Sequence, residues 1–137
     1  MKKAIALLLA LVMVFALCAC GGGGDKAGGD KVVKIGVFEP ASGDSGAGGK
    51  KEMLGMQYAN QETPTVEIGG ETYKVELVYS DNGSDSAKAV SAASKLVNEK
   101  VSLVLGSYGS GVSIAASDTF KQAGIPAIGV TCTNPNA

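Results

Sequence analysis

The sequence predicts an α/β fold, a parallel-sheet βαβ lobe, and three observations carry that expectation. Within residues 101–135 a short apolar run, Leu103 to Leu105, stops at Gly106; after a Gly/Ser turn, a helix-like segment from about Val112 ends at Gly124, and a second apolar run follows. The β-branched run Val-Val-Lys-Ile-Gly-Val-Phe at 32–38 is followed in the same order by a Gly-rich loop and a helical pattern. The connections between the apolar runs are long enough to hold helices, which parallel neighbours require.

The elements follow in order. Residues 32–38 are the first strand, since β-branched side chains suit a pleated, buried surface. Residues 39–49 form a turn-rich loop, and a helix is expected over 50–60, with Met53, Leu54, Met56 or Gln57, and Tyr58 on one face. The pair Gly69-Gly70 between strand-like residues predicts a small hairpin. Residues 73–79 alternate Tyr73, Val75, Leu77 and Tyr79 with Lys74, Glu76 and Val78, a period-two strand with one wetter face. Asp81-Asn-Gly-Ser84 breaks it, and Ser84 or Asp85 caps a helix over 86–98 whose stripe is Ala89, Val90, Ala93, Leu96 and Val97. Gly124 suits the left-handed position past the last helix, Pro126 prevents its continuation, and 125–130 is the last strand. No sequence repeat is visible.

The first 31 residues stand apart. Lys2 and Lys3 precede an uncharged apolar stretch, 4–16, and then Leu17-Cys-Ala-Cys20, the pattern of a secretory leader too short to span a bilayer. Its ending resembles a bacterial lipobox, in which cleavage precedes a cysteine that carries lipid. Ala19 before Cys20 fits that better than Leu17 before Cys18, so Cys20 is the expected lipidation site and 1–19 the signal peptide. Residues 20–31 form a Gly-rich tether whose composition cannot bury a core. The remaining 32–137 suffice for one small folded unit.

Composition excludes several functions. Formal charge is −1 for the whole chain; without Lys2 and Lys3, ten lysines face thirteen acids, giving −3. With no arginine and no basic cluster beyond Lys50-Lys51, a nucleic-acid partner is not expected. Cys132 is the one cysteine left after processing, so no internal disulfide framework is available. Absence of histidine removes the commonest general base and metal ligand, so neither an enzyme nor a cofactor or metal site is expected.

Candidate binding residues lie where strands end, because ligands of such sheets sit beyond the carboxyl ends of the strands. In Gly106-Ser-Tyr-Gly-Ser-Gly111, glycines such as Gly109 let the backbone approach a ligand, and amides opening the next helix point toward an anion. A carboxylate there is held by those amides and the Ser110 hydroxyl; a plain turn with Ser110 as a helix cap is the alternative. Thr131 and Thr133, two apart, share a side of an extended segment and can serve a carboxylate and, through backbone carbonyls, an ammonium. Cys132 between them points the other way as a small filler. Ser42 or Ser45 in the first loop lies at the mouth of the same cleft.

Competing motifs fail on spacing. Gly43-Asp-Ser-Gly-Ala-Gly-Gly-Lys-Lys51 sits where a nucleotide-binding P-loop sits, but an extra glycine shifts the lysine and Lys51 replaces the hydroxyl residue. Neither Ser107 nor Ser110 has the flanking glycines of a nucleophile elbow, and no Gly-x-Gly-x-x-Gly follows the first strand. Asp81 and Asp85 lack the spacing of a calcium loop.

The lipobox and tether, Val33-Lys-Ile-Gly-Val-Phe-Glu-Pro-Ala-Ser-Gly43, the Tyr79-Ser-Asp-Asn82 strand end and Val104-Leu-Gly-Ser-Tyr-Gly-Ser-Gly111 together resemble the extracellular solute-binding proteins of ABC transporters. Among these, the branched-chain amino-acid receptors of the type I periplasmic binding fold are the most similar group. The resemblance implies a two-lobed α/β protein closing on an amino acid, with a membrane permease as partner. It also implies a place on the extracytoplasmic face of a bacterial membrane, held there by a lipid anchor alone. By motif position it puts carboxylate and amino-group contacts on Ser110, Thr131 and Thr133. Many members carry an aromatic residue at the place of Gly48, as a wall of the side-chain pocket, so this chain departs from the family there. Since the family continues past this point into more of the first lobe and a second, the chain is expected to be the N-terminal part of a longer reading frame. The alternative is a single-lobe sensory or structural surface lipoprotein.

Overall fold

The computed structural model describes residues 31–137; the leader, Cys20 and most of the tether lie outside the described residues. The elements are β1 (Val32–Glu39), α1 (Gly46–Glu62), β2 (Thr65–Ile68), β3 (Glu71–Asp81), α2 (Ser86–Asn98), β4 (Leu103–Leu105), α3 (Ser110–Gln122) and β5 (Ala127–Ile128). They form one sheet in the order β2-β3-β1-β4-β5. β1 lies between β3 and β4, parallel to both, and β5 continues parallel beside β4. The α/β class and the parallel sheet are therefore as the sequence predicts.

The exception is β2, which pairs antiparallel with the start of β3. The Gly69-Gly70 turn has φ of +61° and +80°, the double positive that a two-residue hairpin with native twist needs. The second arm of the predicted hairpin and the predicted strand over 73–79 prove to be one continuous β3. Its first four residues pair with β2, and from Lys74 onward it also pairs with β1.

Burial concentrates on the face that carries α2 and α3. Phe38 and Val104 meet Ala89, Ala92, Ala93 and Leu96 of α2 and Val112, Ala116 and Phe120 of α3. Alanines along α2 let its backbone come close to the sheet, and Gly36 permits this from below: a Cβ there would stand 3.1 Å from Leu96 and Val104. Phe38 and Phe120 meet edge to face at 5.5 Å, a geometry worth about 1 kcal/mol beyond the area it buries. Within the stripe expected for α2, Val90 is 48% exposed and Ala92 takes its place inside. Asp85 caps α2, its carboxylate accepting from the Ala87 amide at 2.7 Å.

Two helices begin earlier than local sequence suggests. α1 opens at Gly46 rather than Lys50, and α3 at Ser110 with Gly109 as its cap rather than near Val112. The glycines of α1's first turn are weak helix formers but allow close approach: a side chain at Gly49 would collide with Pro40. The face of α1 is also not the one expected, since Leu54 and Tyr58 are about two-thirds exposed while Met56 and Ala59 look toward the sheet. β5 is two residues long instead of six, and it is exposed at the sheet edge. No described helix is long and apolar enough to cross a membrane.

Candidate functional site

Because β1, β3, β4 and β5 run parallel, their carboxyl ends share one edge of the sheet. From β1 the chain leaves to α1, which rests on one face; from β4 it leaves to α3, which rests on the other. The crevice between the ends of β1 and β4 is thus the topological switch point, where open α/β sheets bind ligands.

The first loop is tied to the end of β3. Asp81 Oδ2 accepts from the Ser42 hydroxyl at 2.7 Å, and Oδ1 accepts from the amides of Ala41, Ser42 and Gly83 at 2.8, 3.3 and 2.8 Å. Partial burial pushes the Asp81 carboxyl up, but these bonds, led by that from Ser42, outweigh it and hold the group below the ordinary carboxylate value. Beneath them Asn82, fully buried, donates from Nδ2 to Phe38 O at 3.2 Å and to Ser107 Oγ at 3.1 Å, and accepts from the Ser84 amide. Ser107 is therefore a buried member of the scaffold rather than a surface nucleophile.

The second loop rests on Glu39. That residue is 1% exposed, and its Oε2 accepts from the Tyr108 amide at 2.8 Å while Oε1 has no donor among the described residues. Burial pushes its pKa up to about 8; the Tyr108 amide opposes this, and the Glu52 carboxyl against it adds to the rise. The raised value keeps a proton on Glu39, the donor that this cluster of acceptors otherwise lacks. The Tyr108 ring covers the first turn of α1: a Cβ on Gly48 would lie 2.6 Å from its Cζ.

Ser110 does not cap its own helix. Its Oγ accepts from the Thr133 and Asn134 amides at 3.1 and 3.2 Å, pinning the segment after β5 to the start of α3. A hydroxyl has two acceptor sites and one donor, so with both amides accepted the Ser110 proton is left to give. The amides of Gly111 and Val112 likewise have no partner among the described residues. Gly109, at φ +120°, adopts a conformation that side chains rarely take. Thr131 is exposed in the irregular segment after β5, and Cys132 turns inward, its Sγ 3.1 Å from Ser113 Oγ and 3.4 Å from Ser107 O.

The fold thus brings Ser110 and the Thr133 backbone together, keeps Thr131 on the same segment, and sets Ser42 on the neighbouring loop against Asp81. Sequence reasoning missed Glu39, Asn82 and Tyr108. A glutamate ending an apolar strand before proline was the available signal for the first; the other two have none. Among the described residues no cluster of His, Cys, Asp and Glu could hold a metal ion.

Comparison with known proteins agrees with this architecture. The sequence profile described as periplasmic binding protein matches residues 32–137. Leu/Ile/Val-binding protein homolog 2 of Brucella abortus is 33% identical over 103 residues, which is 75% of this chain and 28% of that protein. The solved leucine-binding protein LivK of Thermotoga maritima superposes with a TM-score of 0.69 at 35% identity, over 75% of this chain and 29% of LivK. LivJ of Streptococcus pneumoniae, a branched-chain amino-acid transporter substrate-binding protein solved with isoleucine, gives 0.67 at 34%, over 77% of this chain and 30% of LivJ. The chain therefore spans about 30% of the length of the relatives it matches. With a profile match running the length of the folded part and a sheet whose switch point is built from the matched loops, the chain belongs to the periplasmic binding protein family.

Proposed function

We propose that the protein is the substrate-binding component of an ABC transporter, capturing an amino acid of branched-chain type or a similar small solute outside the membrane and handing it to a permease. The observation that carries this reading is the double acceptance at Ser110: two backbone amides fill its lone pairs and leave its proton to donate at the switch point. Beside it, the first amides of α3 offer further donors to a carboxylate, without a cationic side chain. Thr131 and Thr133 supply hydroxyls and carbonyls for the rest of the amino-acid backbone, Gly109 keeps the approach open, and Ser42 lies at the rim. Ligand closing a second lobe onto this one shifts a hinge equilibrium by touching both.

In this reading no chemistry is performed on the ligand and no cofactor is required. Cys20, outside the described residues, carries the lipid that holds the protein at the extracytoplasmic face of the membrane. The test is calorimetric titration of the full-length protein with L-leucine and L-isoleucine. Ser110→Ala is expected to weaken binding by about 1 to 3 kcal/mol, the range for a hydrogen bond to a charged group. Equal affinity for both proteins removes Ser110 from the site, and no heat with any amino acid removes the transport-receptor reading. Fatty-acid labelling that survives Cys20→Ser removes the anchor assignment.

A further inference from the structure

Glu39 ends β1 at the floor of the switch point, and three elements close around its buried carboxyl. The turn after β4 lies against both oxygens: Oε2 accepts from the Tyr108 amide at 2.8 Å, and Oε1 faces Gly106, where a Cβ would stand only 2.6 Å from it. From α1 the Glu52 carboxyl stands against it. From β3 its partner in register is Asp81, whose own oxygens are taken up by Ser42 and by the amides of Ala41 and Gly83. Neither ion pair among the described residues includes Glu39 or Glu52; they join Lys31 to Glu71 and Lys34 to Glu99.

Of the four oxygens of Glu39 and Glu52, three are out of contact with solvent and have no hydrogen-bond partner among the described residues. A buried carboxylate with neither a cation nor enough donors is costly, and the acid form removes the charge while turning one oxygen into a donor. Burial accordingly raises the Glu39 pKa to about 8, the Tyr108 amide opposing the rise and Glu52 adding to it. The turn that this carboxyl supports is short. Ser110 stands two residues past the Tyr108 amide, so whatever fixes that amide also fixes the hydroxyl and the start of α3 beside it.

We propose that Glu39 is a positioning residue for ligand capture: as a neutral acid it seats the turn that presents Ser110, and its ionisation releases that turn and with it the ligand. Capture at Ser110 rests on the function proposed above, whereas the seating of the turn stands without it. Ionised, Glu39 places an unpaired charge beside Glu52 where water does not reach, and relief comes from moving the carboxyl or opening the turn to solvent. As the seated fraction falls with rising pH, apparent affinity falls by the same factor.

The experiment follows the full-length protein from pH 6 to 9 beside Glu39→Gln, which keeps an acceptor for the Tyr108 amide and a donor toward Glu52 but does not titrate. The Tyr108 and Ser110 amide resonances are expected to shift together with a midpoint near pH 8, and to stay in place in Glu39→Gln. Glu52→Gln is expected to lower that midpoint, because the Glu52 carboxyl contributes to the rise. In calorimetry with L-leucine as the probe, the parent is expected to bind about tenfold more weakly at pH 9 than at pH 6, the acid fraction left one unit above the midpoint. Glu39→Ala is expected to weaken binding at pH 6 by about fivefold or more, and Glu39→Gln to restore it without the decline toward pH 9. Resonances with no midpoint between pH 7 and 9, or a midpoint unmoved in Glu52→Gln, overturn the seating of the turn. An equal decline of affinity in the parent and Glu39→Gln overturns the role in capture. Should L-leucine bind at no pH while the midpoint is intact, the seating of the turn is upheld and the ligand reading falls.

Discussion

The Tyr108 ring lies directly over the backbone of Gly48, so close that a methyl group on Gly48 would stand 2.6 to 2.8 Å from Cζ and both Cε atoms. The turn after β4 and the first turn of α1 are thereby fitted to each other across the switch point. Gly48 stands where the family resemblance leads one to expect an aromatic residue, and the space over it is taken by the Tyr108 ring.

Gly48→Ala is therefore expected to act on the ring rather than on the fold. Alanine gains up to about 1 kcal/mol of helix propensity over glycine, and Tyr108, 40% exposed, can swing outward. Stability by chemical denaturation should stay within about 1 kcal/mol of the parent. The Tyr108 ring resonances should move toward their solvent-exposed positions; unmoved resonances would sink the account.

Glu39 makes stability depend on pH in an unusual direction for a carboxyl. Its folded-state pKa, about 8, lies above the ordinary value of 4.5, so the folded protein holds a proton that the unfolded chain releases. The stabilisation is complete below the unfolded value and is lost as pH rises through the folded one. Thermal midpoints should fall between about pH 4.5 and 8, with a slope of at most about 1.4 kcal/mol per pH unit. Glu39→Gln should flatten this segment; an unchanged slope in that variant would refute it.

Asn82 holds three backbone or side-chain groups from one fully buried position. Asn82→Ala leaves the Phe38 carbonyl and the Ser107 hydroxyl without that donor, and the expected cost is about 2 to 4 kcal/mol in urea denaturation. A loss under 1 kcal/mol would show that water replaces the side chain.

Ser110→Ala removes the shared acceptor of the Thr133 and Asn134 amides. Hydrogen exchange at those two amides should accelerate at least tenfold, while Val104 in β4 keeps its protection. Uniform acceleration would mean global destabilisation instead, and would undermine the pinning role.

Much of the fold was legible in local sequence. The β-branched run at 32–38, the Gly69-Gly70 turn, the Asp85 cap and Gly124, with φ of +68°, each act through the conformational preferences of a few adjacent residues. They survive into the tertiary structure because nothing opposes them. The stripe of α2 was nearly right for the same reason: 3.6-residue periodicity reports burial wherever one helix face meets one sheet.

What the sequence by itself determined, then, is the order of strands and helices, the parallel sheet, and the set of loops that meet at its carboxyl edge. The tertiary structure alone decided where α1 and α3 begin, which face of α1 turns inward, and how the hydroxyls are used. Gly48 and Gly49 open α1 without side chains where the Tyr108 ring and Pro40 lie against them, and for Gly48 that demand comes from position 108, far along the chain. Ser110 looks like a helix cap in sequence, yet its oxygen takes amides 23 and 24 residues away, because β5 delivers them to it. Glu39 accepts an amide 69 residues distant, and its charge is settled by burial and by Glu52. Local preference fixes what each segment is; desolvation and close approach between distant segments fix what each side chain does.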